Sequence, residues 1–128
     1  MEKTIVKCND APSPVGPYSQ GVSVDGWVWT SGQVGLDPNT GAIAGADAPA
    51  QADRALQNIA AIMTAAGGRL DQVVRVTVYL TDMNDFAAVN KVYARYFPAG
   101  YPARSCVEVS RLPLGELVEI DALAKVSS

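Results

Sequence analysis

The sequence predicts a two-layer α+β domain, with both helices on one face of a mixed sheet of about six strands. Three observations carry this. Apolar residues alternate in several short segments and recur at helical spacing in two longer ones. The segments run in the order strands, helix, strand, helix, strands. No repeat, low-complexity run or linker divides the 128 residues, so positions 1–128 are expected to form a single domain around one core.

Thr4 to Cys8 reads as a first strand. Asn9 to Pro17 is a loop, because Pro12, Pro14 and Pro17 deny it regular structure. Two apolar runs, Gly21 to Val24 and Trp27 to Ser31, flank the hairpin signal Asp25-Gly26. Asp37-Pro38-Asn39-Thr40-Gly41 is a turn. A helix is expected from Ala48 to Ala66, with Asp47 as N-cap, Pro49 tolerated in the first turn and Gly67-Gly68 as the stop. Its stripe is Ala52, Ala55, Leu56, Ile59, Ile62, Met63 and Ala66. Val73 to Leu80 alternates as a strand, with Val74, Val76, Val78 and Leu80 on one face and Arg75, Thr77 and Tyr79 on the other. Asp82-Met83-Asn84 offers N-caps for a second helix, Asp85 to Phe97. Phe86, Val89, Tyr93, Tyr96 and Phe97 line its buried side, Asn90 sits within that stripe, and Pro98 and Gly100 end it.

The last two strands hold the chemistry. In Ala103 to Ser110, Arg104, Cys106, Glu108 and Ser110 share one face, and Ala103, Ser105, Val107 and Val109 make a small, apolar face expected to be the core side. Leu117 to Val126 follows after about six turn-like residues, a length that favours an antiparallel hairpin. Matching the apolar faces places Cys106 opposite Glu119 and Arg104 opposite Asp121. The open face of the sheet would then carry the Arg104 row together with Leu117 and Leu123; a half-apolar open face is usually covered by a partner, and a homo-oligomer packing through it is the simplest solution.

Composition narrows the function. The net charge of −3 argues against a nucleic-acid binder, which needs a basic face. No apolar run has the length of a signal peptide or a membrane span, so the expected compartment is the cytoplasm, with Cys8 and Cys106 as free thiols. The chain has no histidine. That removes Ser-His-Asp and Cys-His catalysis and histidine metal sites. No zinc-type cysteine pair, P-loop or dinucleotide fingerprint is present, so no metal or cofactor is expected.

Four blocks together closely resemble the RidA (YjgF-like) family of reactive intermediate deaminases: Gly16-Pro17-Tyr18-Ser19-Gln20-Gly21, Thr30-Ser31-Gly32-Gln33, Pro102 through Val109, and Leu112-Pro113 with Val118-Glu119-Ile120. The resemblance covers essentially the whole chain. It implies a chorismate-mutase-like fold and a homotrimer with clefts between subunits that bind small carboxylates. The implied activity is hydrolysis of 2-imino acids such as 2-iminopropanoate and 2-iminobutanoate, or their enamine tautomers, to 2-keto acids and ammonia. The family's substrate-carboxylate arginine matches Arg104, its water-orienting glutamate Glu119 and its cleft cysteine Cys106. Its tyrosine matches Tyr18, its serine Ser31 and its asparagine Asn90. The connection from Phe97 to Pro102 is short beside many relatives, which bears on the rim of the cleft.

Each of these residues also has a plainer role open to it. Arg104 could pair with Asp121 or Glu108, and Glu119 could be a solvated edge charge. Cys106, with no histidine to activate it, suits a cleft lining better than a nucleophile. Tyr18 could be a core aromatic. Ser31 and Gly32 could supply a hydroxyl and a close backbone N–H, or simply end a strand. Asn90 could brace a loop. A non-catalytic keto-acid binding module is the main alternative function; RNA cleavage and holdase activity are weaker ones.

Overall fold

Seven strands and two α-helices form in the expected order in the computed structural model, which describes residues 2–98 and 100–126. Ala99, within the Phe97–Pro102 connection, lies outside the described residues. The strands are β1 (Thr4–Val6), β2 (Gly21–Val24), β3 (Trp27–Thr30), β4 (Gln33–Val34), β5 (Val73–Leu80), β6 (Ala103–Glu108) and β7 (Val118–Lys125). Helix α1 is Ala48–Ala65 and α2 is Phe86–Tyr96. Short 3₁₀ turns cover Leu70–Gln72, Met83–Asp85 and Pro113–Gly115. The two-residue β4 was not expected; it takes the sheet from six strands to seven.

Helix α1 begins where Asp47 accepts a hydrogen bond from the Ala50 N–H at 3.0 Å. It ends where Gly67, at φ +82°, lets the Gly68 N–H reach back to the Met63 carbonyl at 2.8 Å. Its stripe of Ala52, Ala55, Leu56, Ile59 and Met63 packs on Val28, Val76, Val78, Ile120 and Ala124 from the sheet. These side chains are almost fully buried, and each large one contributes roughly 2 kcal/mol of transfer free energy.

The strand order is β1-β2-β3-β7-β5-β6, with β4 taking over from β3 beside β7. All pairings are antiparallel except β5 with β6, and α2 makes the crossover that a parallel pair requires. The expected β6–β7 hairpin is therefore corrected: β5 lies between them. Val109 N–H bonds to the Leu80 carbonyl and Thr81 N–H to the Leu117 carbonyl, so residues 110–116 pass over the end of β5. That is a span of two strand spacings, about 10 Å, within easy reach of those seven residues.

This topology overturns the expected parity. Val78 pairs with Cys106 on one side and Ile120 on the other, and Val76 pairs with Arg104 and Ala122. Arg104 and Cys106 thus share the helix-covered face with the core. Tyr79 pairs with Val107 and Glu119, and Thr77 with Ser105 and Asp121, on the open face. Cys106 does not oppose Glu119, Arg104 does not oppose Asp121, and Ala103, Ser105 and Val107 are not the core face. The open face carries no Arg104 row; with its two carboxylates it carries Ile5, Trp27, Trp29 and Val107, and Trp29 is 46% exposed. Two smaller corrections follow from local geometry. A register shift between Val73 and Arg75 buries Val73 and turns Val74 outward. Phe86, at the start of α2, is exposed rather than buried.

A polar seam lies under α1. Asn58 is fully buried; its amide donates to the Val34 and Leu36 carbonyls, and its oxygen accepts from Arg54 Nε and Nη2. Gln51 donates to the Gly45 carbonyl and accepts from Leu117 N–H at 2.7 Å. Glu116, 1% exposed, accepts from the Gly35 N–H at 2.9 Å through Oε1, and its Oε2 has no partner among the described residues. Together they fix β4 and the loop beyond it to the start of β7.

Two outcomes test the seam. Asn58→Ala should lower unfolding free energy in urea by about 2 kcal/mol, because two carbonyls lose their donor. Burial raises the Glu116 carboxyl above its ordinary 4.5, against the lowering effect of the Gly35 bond. A carboxyl raised in the native state binds its proton more tightly there, so it favours folding below about pH 4.5 and that contribution is lost as pH rises through the native value. Glu119 shifts in the same direction. Relative to wild type, Glu116→Gln should therefore be more stable at pH 7, with the difference shrinking toward pH 5 in denaturation series.

Candidate active site

One cleft forms where β6 meets α2. Arg104 projects toward the helix, and its guanidinium lies 4.7 Å from the Tyr93 ring centroid and 5.6 Å from that of Phe86. Phe86 and Tyr93 are seven residues apart and so fall on one line of α2. Such contacts contribute roughly 0.5–2 kcal/mol each while leaving the guanidinium N–H groups free. Among the described residues Arg104 makes no ion pair, which removes the partners expected for it. Glu108 accepts instead from the Met83 N–H at 2.7 Å, and Asp121 from the Tyr79 hydroxyl at 3.1 Å. Asn90, Tyr93, Ala94, Tyr101, Pro102 and Arg104 line a cleft of about 410 Å³. Asn90 therefore faces this cleft from within the apolar stripe. Tyr93 is 4% exposed, its hydroxyl has no partner among the described residues, and burial raises its pKa to about 12. It is neutral beside the cation.

Cys106 sits one alternation further along β6, half-buried against the core. Burial raises its thiol pKa and the Arg104 charge lowers it, with burial the larger effect. The group is a thiol rather than a thiolate at neutral pH, which fits a lining and not a nucleophile.

The second cleft lies on the opposite face. Tyr18, Ser31, Gly32, Pro113 and Glu119 surround it. Its geometry begins with the break between β3 and β4. Trp29 pairs with Leu123 and Gln33 with Ile120, so Ser31 and Gly32 bulge out of the ladder and the Thr30 hydroxyl accepts the Ala122 N–H at 3.0 Å. The Ser31 hydroxyl donates to the Ser19 carbonyl at 2.5 Å. Gly32 lies directly under the Glu119 side chain: a Cβ there would come within 2.7 Å of the Glu119 carboxyl carbon. Burial first and the Asp121 charge second raise the Glu119 pKa. Tyr18 is exposed at the edge of this cleft, not a core aromatic, and its hydroxyl accepts from the Val15 N–H at 3.3 Å.

Gln20 holds the loop that carries Tyr18. It is buried; its oxygen accepts from Cys8 N–H, and its amide donates to the carbonyls of Cys8, Ala11 and Pro12. Sequence reasoning passed over this residue and over the aromatic support of Arg104. The i, i+7 spacing of Phe86 and Tyr93 was the available signal for the latter.

The seven candidate residues thus fall into two groups. Arg104, Cys106 and Asn90 lie on the helix side of β6. Tyr18, Ser31, Gly32 and Glu119 lie around the open side of β7. With β5 between the strands and the sheet between the faces, one small molecule cannot touch both groups of a single chain. Among the described residues no three Cys, Asp or Glu side chains converge where a metal would sit, and no helix is long and apolar enough to cross a membrane.

Known proteins resemble this chain in sequence and fold. A family model described as Endoribonuclease L-PSP matches residues 8–126. A 2-iminobutanoate/2-iminopropanoate deaminase of Salmonella typhimurium is 50% identical over 127 residues, covering 97% of this chain and 98% of the relative. A RutC family protein of Pyrococcus abyssi is 48% identical over 97% of this chain and 98% of its own. The crystal structure of E. coli TdcF with bound serine superposes with a TM-score of 0.92 at 44% identity, covering 98% of this chain and 99% of that one. The chain belongs to the Endoribonuclease L-PSP family, the YjgF/RutC group of proteins that its sequence blocks resemble.

Proposed function

We propose that the protein is a deaminase that hydrolyses small 2-imino acids and their enamine tautomers to 2-keto acids and ammonia, in sites built between subunits of a homotrimer. The observation that carries this is the separation of one free cation from one perturbed carboxylate onto opposite faces of the sheet. Each is half of a site, and a neighbouring copy that sets its Arg104 face against the Glu119 face completes it. The exposed Trp27, Trp29, Ile5 and Val107 on the open face give such an assembly apolar area to bury. The named deaminase among the relatives and the serine-bound neighbour support a small carboxylate ligand. The free thiols suit the cytoplasm.

In this reading Arg104 holds the substrate carboxylate through its planar fork, steadied by Tyr93 and Phe86. Glu119 holds a water against C2. An iminium carbon is already electrophilic, so the water needs placement more than a strong base. The water oxygen bonds to C2, the C=N π pair moves to nitrogen, and the released proton goes to Glu119. Glu119 then returns the proton to the amine nitrogen of the carbinolamine. The C–N bond breaks, ammonia leaves and takes up the hydroxyl proton, and the oxygen becomes the keto group. Asn90 and Cys106 line the carboxylate side; Tyr18, Ser31 and Gly32 line the water side. No step uses a metal or cofactor.

The decisive measurement is keto-acid release from freshly generated 2-iminopropanoate, with semicarbazide competing for the imine. Wild type should accelerate release, and Arg104→Ala should lose about a hundredfold in kcat/KM, the loss of two charge-assisted hydrogen bonds. Saturable pyruvate binding without acceleration would instead mark a binding module. Because the water-holding form of Glu119 is the carboxylate, activity should fall in acid with a midpoint above 4.5. Asp121→Asn removes one cause of that raised value and should move the acid limb of the kcat/KM profile to lower pH. Gly32→Ala should displace the Glu119 side chain and depress kcat while circular dichroism stays native.

A further inference from the structure

Leu114 is a leucine in the left-handed region, at φ 62° and ψ 18°. That conformation costs a leucine about 1 kcal/mol, and glycine would hold it without cost. No core contact offsets the cost, because the side chain is 62% exposed. What the conformation achieves is local: it sets Leu114 on the wall of a cavity of about 150 Å³ beside Glu119. Val15, which is 85% exposed, Tyr18, Leu36, Pro12 and Pro113 complete an apolar lining over that carboxylate. The prolines and the Gln20 bonds fix the shape of this wall before anything enters it.

Within the deaminase reading, C2 of the substrate carries three groups. The carboxylate is committed to Arg104 on the neighbouring copy. The nitrogen needs proton donors and acceptors, which the Ser31 and Glu119 side provides. The remaining group is the side chain, and the apolar wall is the surface left to receive it. A methyl group, about the size of one water at ~30 Å³, fills only a small part of the cavity. We infer that the Leu114–Val15–Tyr18 wall is the side-chain pocket of the site, and that it directs the enzyme toward 2-imino acids with unbranched aliphatic side chains longer than methyl. Leu114 is the residue that sets this preference, since it alone closes the cavity from the 110–116 connection with a flexible apolar side chain.

The inference rests on the proposed deaminase activity, and the experiment separates the two. Imines of three and six carbons are generated from alanine and norleucine by an amino acid oxidase, and kcat/KM is measured for each with wild type, Leu114→Gly and Val15→Ser. Glycine accepts the φ of position 114, and Val15 is on the surface, so both variants should fold. Wild type should prefer 2-iminohexanoate to 2-iminopropanoate. That ratio should fall about tenfold in Leu114→Gly, the scale of one or two methylenes in an apolar pocket, and fall in the same direction in Val15→Ser. A ratio that is the same in wild type and both variants, or a wild type that prefers the shorter imine, overturns the pocket and leaves the deaminase reading standing. If wild type accelerates neither imine, the deaminase reading fails. Calorimetric binding of pyruvate and 2-ketohexanoate then decides the pocket: a preference for the longer acid that shrinks in Leu114→Gly supports it, and equal affinities overturn it.

Discussion

Strand β7 is hydrogen-bonded along both edges, to β3 and β4 on one side and to β5 on the other. Val118, Ile120, Ala122 and Ala124 enter the core under α1, so Glu119, Asp121 and Leu123 must point the other way. A slip of one residue would bury two carboxylates and expose four core side chains. The position of Glu119 is therefore set by the same free energy that holds the domain together. The same strand governs the loop above it: β3 leaves β7 at Trp29, β4 rejoins at Gln33, and the gap between them puts Gly32 against the Glu119 side chain.

Arg104 is fixed by a different kind of force. An ion pair would have held it as firmly, but would have spent its N–H groups on a protein carboxylate. Aromatic faces hold the cation and leave the fork open. Glu108, on the same face, is engaged with the Met83 N–H, and Asp121 lies on the opposite face, bonded to Tyr79. Among the described residues, one face thus presents a positive charge without an ion-pair partner, and the other a carboxylate whose proton affinity is raised by burial and by a like charge.

Much of the fold was legible because it is written in local patterns. The bounds of β5 were read without error, and those of α1 to within one residue, because alternation, an Asp cap and a glycine stop are short-range signals. The β6–β7 hairpin was misread because antiparallel direction and a short connection do not say whether a third strand lies between. The extra strand was β5, and its insertion turned Arg104 from the open face to the helix face. Gln51, Asn58 and Glu116 were missed for a related reason. Each is polar among apolar neighbours, and only the partners Leu36, Leu117 and Gly35, distant in sequence, show what it holds. The resemblance named the candidate residues; the division of those residues between two faces was not legible in it.

That division has a consequence for inheritance. In an assembly joined across the two faces, a copy defective at Arg104 still offers a sound Glu119 face, and a copy defective at Glu119 still offers a sound Arg104 face. Two different loss-of-function alleles expressed together can then assemble some intact sites, whereas two alleles damaged on the same face cannot. In such an assembly the sheet, by keeping the two groups apart, would make the subunit a carrier of two separately mutable genetic units.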